Sequence, residues 1–249
     1  MKRIYIIIIV LIVVGLISVI GVNFYNKIIG DNKISTVDSS PKPTLLSLSL
    51  RTDIPITYTN TFNGKFELIE RTLYDTSQYI IYIHNDKARI DKNYRTTKKE
   101  SYLLNLKTGE MIALNHQKKL YSSIPVVEEK PSLDSTFTVI KTNINKNILG
   151  QNCAQWRVKN RNDNTEITYW VSTNNYGFYY YLNKVWDASK KYHKYFQIIP
   201  QSFGFMPFEI VERNLLRDIK SSVNMTSISN QMLDTSLFTV PSDYKHFSN

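Results

Sequence analysis

The residues of this chain that could do chemistry are four histidines, one cysteine and a scatter of carboxylates. His84, His116, His193 and His246 show no metal-ligand spacing, no His-Glu-x-x-His occurs, and Cys153 has no partner for a zinc motif. A phosphate-binding P-loop and a Gly-x-Ser-x-Gly elbow are absent as well. The carboxylates fall on strands and turns, and no general acid/base pair can be singled out among them. These absences imply a chain without catalysis, cofactor or metal. Cys153 lies in an alternating stretch, which reads as a small buried apolar residue rather than a reactive thiol. A lone cysteine also excludes an internal disulfide framework.

What remains for recognition is aromatic. Seventeen Tyr, eleven Phe and three Trp occur in 249 residues. Trp156, Tyr169, Tyr180, Trp186, Phe196, Phe205 and Phe208 are the candidates to line an apolar ligand site. The same side chains equally suit a core beneath a lid. Between Lys184 and Tyr195 cations interleave with aromatics, a pattern compatible with stacked single-stranded nucleic acid. The export signal described below argues against that partner. The formal net charge of +10 comes without a dense basic run, and it reads as a solvated, lysine-rich surface.

The elements that must position these residues begin at residue 61. Before it, residues 4–22 form an uncharged apolar run behind Lys2 and Arg3, with Lys27 following. As a helix this run would span roughly 28 Å, nearly a bilayer's hydrocarbon core. The flanking charges place the N-terminus in the cytoplasm and the rest of the chain outside it, periplasmic or on the cell surface. A cleaved signal peptide would have a shorter apolar region and a small-residue exit, so an uncleaved anchor over 1–29 is favoured. Both readings export the remainder. Residues 30–60 read as a polar tether around Ser39-Ser40-Pro41-Lys42-Pro43, with a reach of about 30 Å. Within it, Leu45 to Leu50 suits either a helix turn or an edge strand.

From Phe62 onward short alternating runs are separated by turn residues. Phe66, Leu68 and Glu70 share one face, and Tyr79 to His84 leads through Asn85-Asp86 into Lys87 to Asp91. Glu100 to Leu106 and Glu110 to Asn115 flank Lys107-Thr108-Gly109, where Gly109 can take the left-handed conformation. A break covers 128–134. Strands resume at Thr136, and Ala154, Trp156 and Val158 face one way, as do Ile167, Tyr169 and Val171. Between Gly177 and Gly204 the alternation stops, and the spacing of Leu182, Val185 and Trp186 predicts one or two short helices. Strands return at Pro207 to Arg213 and Ile219 to Ile228, and Leu237 to Pro241 closes the chain as a last short element. The sum is a mainly β (α+β) domain over 61–249: a curved antiparallel sheet or half-barrel of at least eight strands with one or two short covering helices.

Several segments, in order, resemble a family of exported bacterial domains of unknown function related to the lipoprotein-carrier (LolA-like) fold. They are Ile83 to Asp91, Tyr102 to Leu106 with Thr108 to His116, Ile148 to Trp156, Glu166 to Ser172, and Leu237 to Tyr244. Gln151 and Asp243 depart from the family pattern. The resemblance implies a curved half-barrel with a helical lid, and a lipid, other hydrophobic ligand or lipid-linked cargo as partner. Two functions follow as expectations. One is a membrane-tethered exported binding domain; the other is a structural or assembly protein of the cell envelope that docks on another protein.

Overall fold

The computed structural model describes residues 44–45, 60–93, 99–126, 136–174, 176–186, 190–200 and 202–247. The apolar run 4–22, nearly all of the tether and the break at 128–134 lie outside these residues. Among the described residues no helix is long and apolar enough to cross a membrane.

Alternation of large apolar and polar side chains produces the strands, because successive residues point to opposite faces of a pleated chain. They are β1 (Thr44–Leu45), β2 (Gly64–Thr72), β3 (Thr76–His84), β4 (Lys87–Lys92), β5 (Glu100–Asn105), β6 (Glu110–Asn115), β7 (Leu120–Ile124), β8 (Phe137–Ile148), β9 (Gln151–Asn160), β10 (Thr165–Ser172), β11 (Met206–Asn214), β12 (Ile219–Asn230) and β13 (Lys245–His246). Two short helices, α1 (Gly177–Val185) and α2 (Lys191–Phe196), interrupt the strands. Gly109, at φ 79°, closes the β5–β6 turn in the conformation its sequence position requires.

Among the described residues, thirteen strands join one sheet in the order β1-β8-β9-β10-β11-β12-β2-β3-β4-β5-β6-β7-β13. The order resolves into two meanders, β2 to β7 and β8 to β12, fused where β12 pairs with β2. The pairings are antiparallel except for β13, which lies parallel to β7. At the fusion the chains approach closely: a Cβ on Gly64 would sit 2.1 Å from the Ser229 carbonyl oxygen. Only glycine fits there.

Register shifts bend one meander and spare the other. They interrupt β8, β10, β11 and β12. The ladders from β2 to β7 run without one. Such shifts increase local twist, so the sheet curls where the helices lie on it. α1 presents Phe178, Tyr179, Leu182 and Val185 inward, and α2 presents Tyr192, Tyr195 and Phe196. These meet Phe66, Ile81, Tyr169 and Phe208 of the sheet in one core. Burying each such side chain contributes about 1.5–3 kcal/mol.

The fold agrees with the expected mainly β domain, an open curved sheet with two short helices. The tail departs from the expected last element at Leu237 to Pro241. That stretch is a single 3₁₀ turn over Thr235–Phe238, capped by Asp234, whose carboxylate accepts from Ser236 N–H at 2.9 Å. Of the run at 45–50 only Leu45 is among the described residues, and with Thr44 it forms the two-residue edge strand β1, paired to β8.

Candidate functional site

Ladder register shows which residues share the face that carries the helices. Tyr79 lies 5.2 Å, centroid to centroid, from Trp186 of the α1 C-terminus, so the side chains of Tyr79 and Ile81 face the helices. Directly opposed residues share a face. The row Ile81, Ile90, Tyr102, Ala113, Ser122 therefore continues that face across β3 to β7.

Under the helices the face is occupied. Tyr169 and Phe196 stand 5.5 Å apart, Tyr179 meets Phe196 edge-on at 5.4 Å, and Tyr176 lies 6.1 Å from Phe208. Of the seven aromatics chosen from the sequence, Trp156, Tyr169, Trp186, Phe196 and Phe208 belong to this one core. Phe205 packs on it from the side, 6.2 Å from Trp156. Tyr180 is buried against Tyr181 at 5.5 Å, with the Lys184 ammonium 5.0 Å above its ring.

Polar links tie this lid to the sheet. Tyr169 donates to the Tyr192 carbonyl at 2.7 Å. The buried Glu70 carboxylate accepts from Tyr79 at 2.8 Å, from Lys190 at 2.6 Å and from Tyr192 at 3.1 Å. Burial, with Glu70 beside it, pushes the Tyr192 hydroxyl well above its ordinary range. His193 is fully buried, and neither ring nitrogen has a hydrogen-bond partner among the described residues. Its pKa is pushed down to about 3, first by burial and then by the charge of Lys190.

At the far end of the same face lies an open groove of about 600 Å³. Its lining comes from β5, β6, β7, the β6–β7 turn, Lys99 and Phe247. By register its floor is Tyr102, Ala113, Leu120 and Ser122. Asn115, Gln117 and Lys118 add polar side chains to the lining. The sequence reading did not select these residues. Weak alternation in β6 and β7, where most positions are half-exposed, was the available signal.

Behind the groove floor, on the opposite face, a polar cluster holds the C-terminal tail. Ser101 donates to Asp91 at 2.6 Å. Its oxygen then remains as acceptor, so His116 donates to it from Nε2 at 2.6 Å and accepts from the Tyr244 hydroxyl at Nδ1, 2.7 Å away. Burial alone would raise the Asp91 pKa, but hydrogen bonds from Ser101 and Arg89, with the charges of Arg89 and Lys99, hold it below the ordinary range. His116 is lowered by burial, then by Lys99 and Arg89. Ser101 beside a histidine suggests a nucleophile, yet Ser101 is fully buried and its proton points to a carboxylate rather than to the imidazole. A nucleophilic serine needs the reverse polarity. The arrangement is a clasp fixing β13 to β7.

A second cleft of about 370 Å³, on the face away from the helices, is lined by ion-paired side chains, among them Lys146 with Glu209 at 2.5 Å and Arg157 with Glu166 at 3.9 Å. Among the described residues no group of three or more His, Cys, Asp or Glu could hold a metal ion. Cys153 is buried, and its thiol is raised to about 11 by burial.

An open curved antiparallel sheet, covered at one end by a two-helix lid and grooved at the other, defines the class as an α+β open-sheet domain. Residues 62–244 match the family described as Domain of unknown function (DUF4412), and the chain belongs to that family. No curated protein matches it. Among solved structures, the complex of Pseudomonas aeruginosa MucA and MucB is similar at 9% identity and a TM-score of 0.48, over 75% of this chain and 58% of that one. The chain thus spans less than two thirds of that relative. An uncharacterized conserved protein from Thermus thermophilus is similar at 7% identity and a TM-score of 0.42, over 74% and 90%. A putative outer membrane lipoprotein-sorting protein domain from Vibrio parahaemolyticus is similar at 9% identity and a TM-score of 0.29, over 70% and 87%.

Proposed function

We propose that the chain is an exported, membrane-tethered binding domain that takes an amphiphile, an acyl chain with a polar head, in the groove over β5 to β7. The groove itself carries the proposal: about 600 Å³ lies inside the roughly 300–1,000 Å³ typical of ligand pockets. Tyr102, Ala113, Leu120 and Phe247 offer apolar contact, and Asn115, Gln117 and Lys118 offer partners to a head group. The apolar run at 4–22 supports export and tethering. In this reading the seven aromatics near the helices hold the lid in place and the ligand sits beside them. No catalysis is part of it.

The test is photocrosslinking of the full chain, in neutral-lipid nanodiscs, with a fatty acid bearing a photoreactive group. Adducts should map to β5–β7, on Tyr102 or Leu120. Adducts spread over the surface, or none, would refute it.

A second reading has its own supporting observation. The aromatic side chains under the lid already satisfy one another, as in a domain that presents a rigid surface to an envelope protein. Envelope crosslinking and pulldown with the full chain tests it, and a defined partner without any lipid adduct would favour it.

A further inference from the structure

The cleft of about 370 Å³ lies over β9 to β11, on the face away from the helices and from the groove. Its lining carries Lys146, Arg157, Arg213 and Arg217 against Glu166 and Glu209, so two positive charges are in excess. At the rim Lys159 reaches Glu166 at 2.9 Å, and Asp218 follows Arg217 in the chain. These two outer charges offset each other.

The pairing inside the cleft is uneven. Lys146 and Glu209 neutralise one another at 2.5 Å. Glu166, mostly buried, is left to serve Lys159, Arg217 at 3.4 Å and Arg157 at 3.9 Å. Arg213 stands directly opposite Glu166 on the β10–β11 ladder, yet its guanidinium forms no ion pair among the described residues. Cations crowded round one carboxylate repel one another. Arg217 joins them from an unfavourable backbone: its φ is 71°, at the place in a three-residue hairpin loop that suits glycine. The turn bears that cost while its side chain reaches back to β10.

We propose that this cleft binds a phosphomonoester dianion. Such a group carries about two negative charges at neutral pH and three acceptor oxygens, which matches the excess in the lining. Arginine forks suit those oxygens. Thr168, opposite Arg157 on the β9–β10 ladder, adds a hydroxyl to the wall. Glu166 aims the arginines. A carboxylate ligand would offset only one of the two charges. The site is on the other face of the sheet from the amphiphile groove, and neither depends on the other.

The test titrates the full chain calorimetrically in dodecyl maltoside micelles, which bring no phosphate of their own. Inorganic phosphate should bind saturably to the parent. Arg213→Gln should weaken that binding at least about tenfold. Lys87→Gln, the same charge change on an exposed residue of β4, should leave it unchanged. In phosphate-free buffer Arg213→Gln should unfold no lower than the parent, because Arg213 has no partner to lose, and phosphate should raise the midpoint of the parent alone. Glucose 6-phosphate and a short-chain phosphatidic acid then distinguish the sources. Tighter binding of the phosphatidic acid assigns a lipid head group, and tighter binding of the sugar phosphate assigns a soluble ester. No saturable binding by the parent, or equal losses in Arg213→Gln and Lys87→Gln, overturns the proposal.

Discussion

The Tyr169 hydroxyl, rising from the middle of β10, donates to the Tyr192 carbonyl of α2 across 2.7 Å. Both groups are buried, and the bond fixes the short helix to the sheet at a point no water reaches. Tyr169→Phe removes the donor and leaves that carbonyl only its place in the helix ladder, at a cost of about 0.5–1.5 kcal/mol. Urea denaturation should show this loss. Amide exchange should quicken in α2 and leave β2 to β7 unchanged. Uniform quickening would mean that the bond holds nothing local.

Gly64 sits where the two meanders fuse. Because a methyl group there would collide with the Ser229 carbonyl, Gly64→Ala must push β2 from β12, and overpacking of this kind costs about 1–3 kcal/mol. A thermal midpoint unchanged from that of the parent chain would contradict this close approach.

His193 makes stability sensitive to acid. The folded chain holds it at about 3, whereas a free imidazole titrates near 6.5. Between those values the unfolded chain binds a proton that the folded chain refuses. Its contribution is therefore complete above about pH 6.5 and declines as the pH falls, by about 1.4 kcal/mol per unit. Denaturation midpoints at pH 7 and pH 5 should differ markedly in the parent chain and less in His193→Phe. Equal slopes for the two would refute the assignment.

Cys153 should behave as packing, not as chemistry. With its thiol raised to about 11 and buried, a disulfide reagent such as Ellman's should react with it only after denaturant is added. Rapid reaction of the native chain would place the thiol at a surface.

The sequence makes local pairings legible and leaves distant ones hidden. Alternation gives the hairpins, and Gly109 marks the β5–β6 turn because its left-handed backbone suits few other residues. That turn also sets the register: Asn105 opposite Glu110 puts Ser101 opposite Leu114, with His116 two residues on along the same face. Half of the clasp is thus readable from one hairpin. The other half, Tyr244, lies 128 residues from His116 and arrives only through tertiary folding. The β12–β2 fusion is hidden for the same reason, since no turn joins those strands. Glu70 was readable as sharing the face of Phe66 and Leu68, but its partner Lys190 comes from the lid. The aromatics near α1 and α2 were legible as an apolar concentration. Whether they line a space or fill one depends on how helices and sheet meet, and composition carries no signal for that. The groove went unread because the large apolar residues of β6 and β7, among them Met111, Ile112, Leu120 and Tyr121, fall on both faces without clear alternation; an open surface of this kind looks, in sequence, like an ordinary edge of a sheet.

The central claim is that the β5–β7 groove, and not the space under the lid, receives an amphiphile. Its most direct test is equilibrium titration of the full chain in neutral nanodiscs with an environment-sensitive fatty-acid probe, with empty nanodiscs subtracted. Three chains are compared: the parent, Ala113→Trp, which fills the groove floor, and Trp186→Phe, which trims the lid, each first matched for thermal unfolding. Saturable binding by the parent and by Trp186→Phe, lost in Ala113→Trp, is the predicted result. Binding by Ala113→Trp equal to that of the parent, or loss in Trp186→Phe alone, would contradict the account.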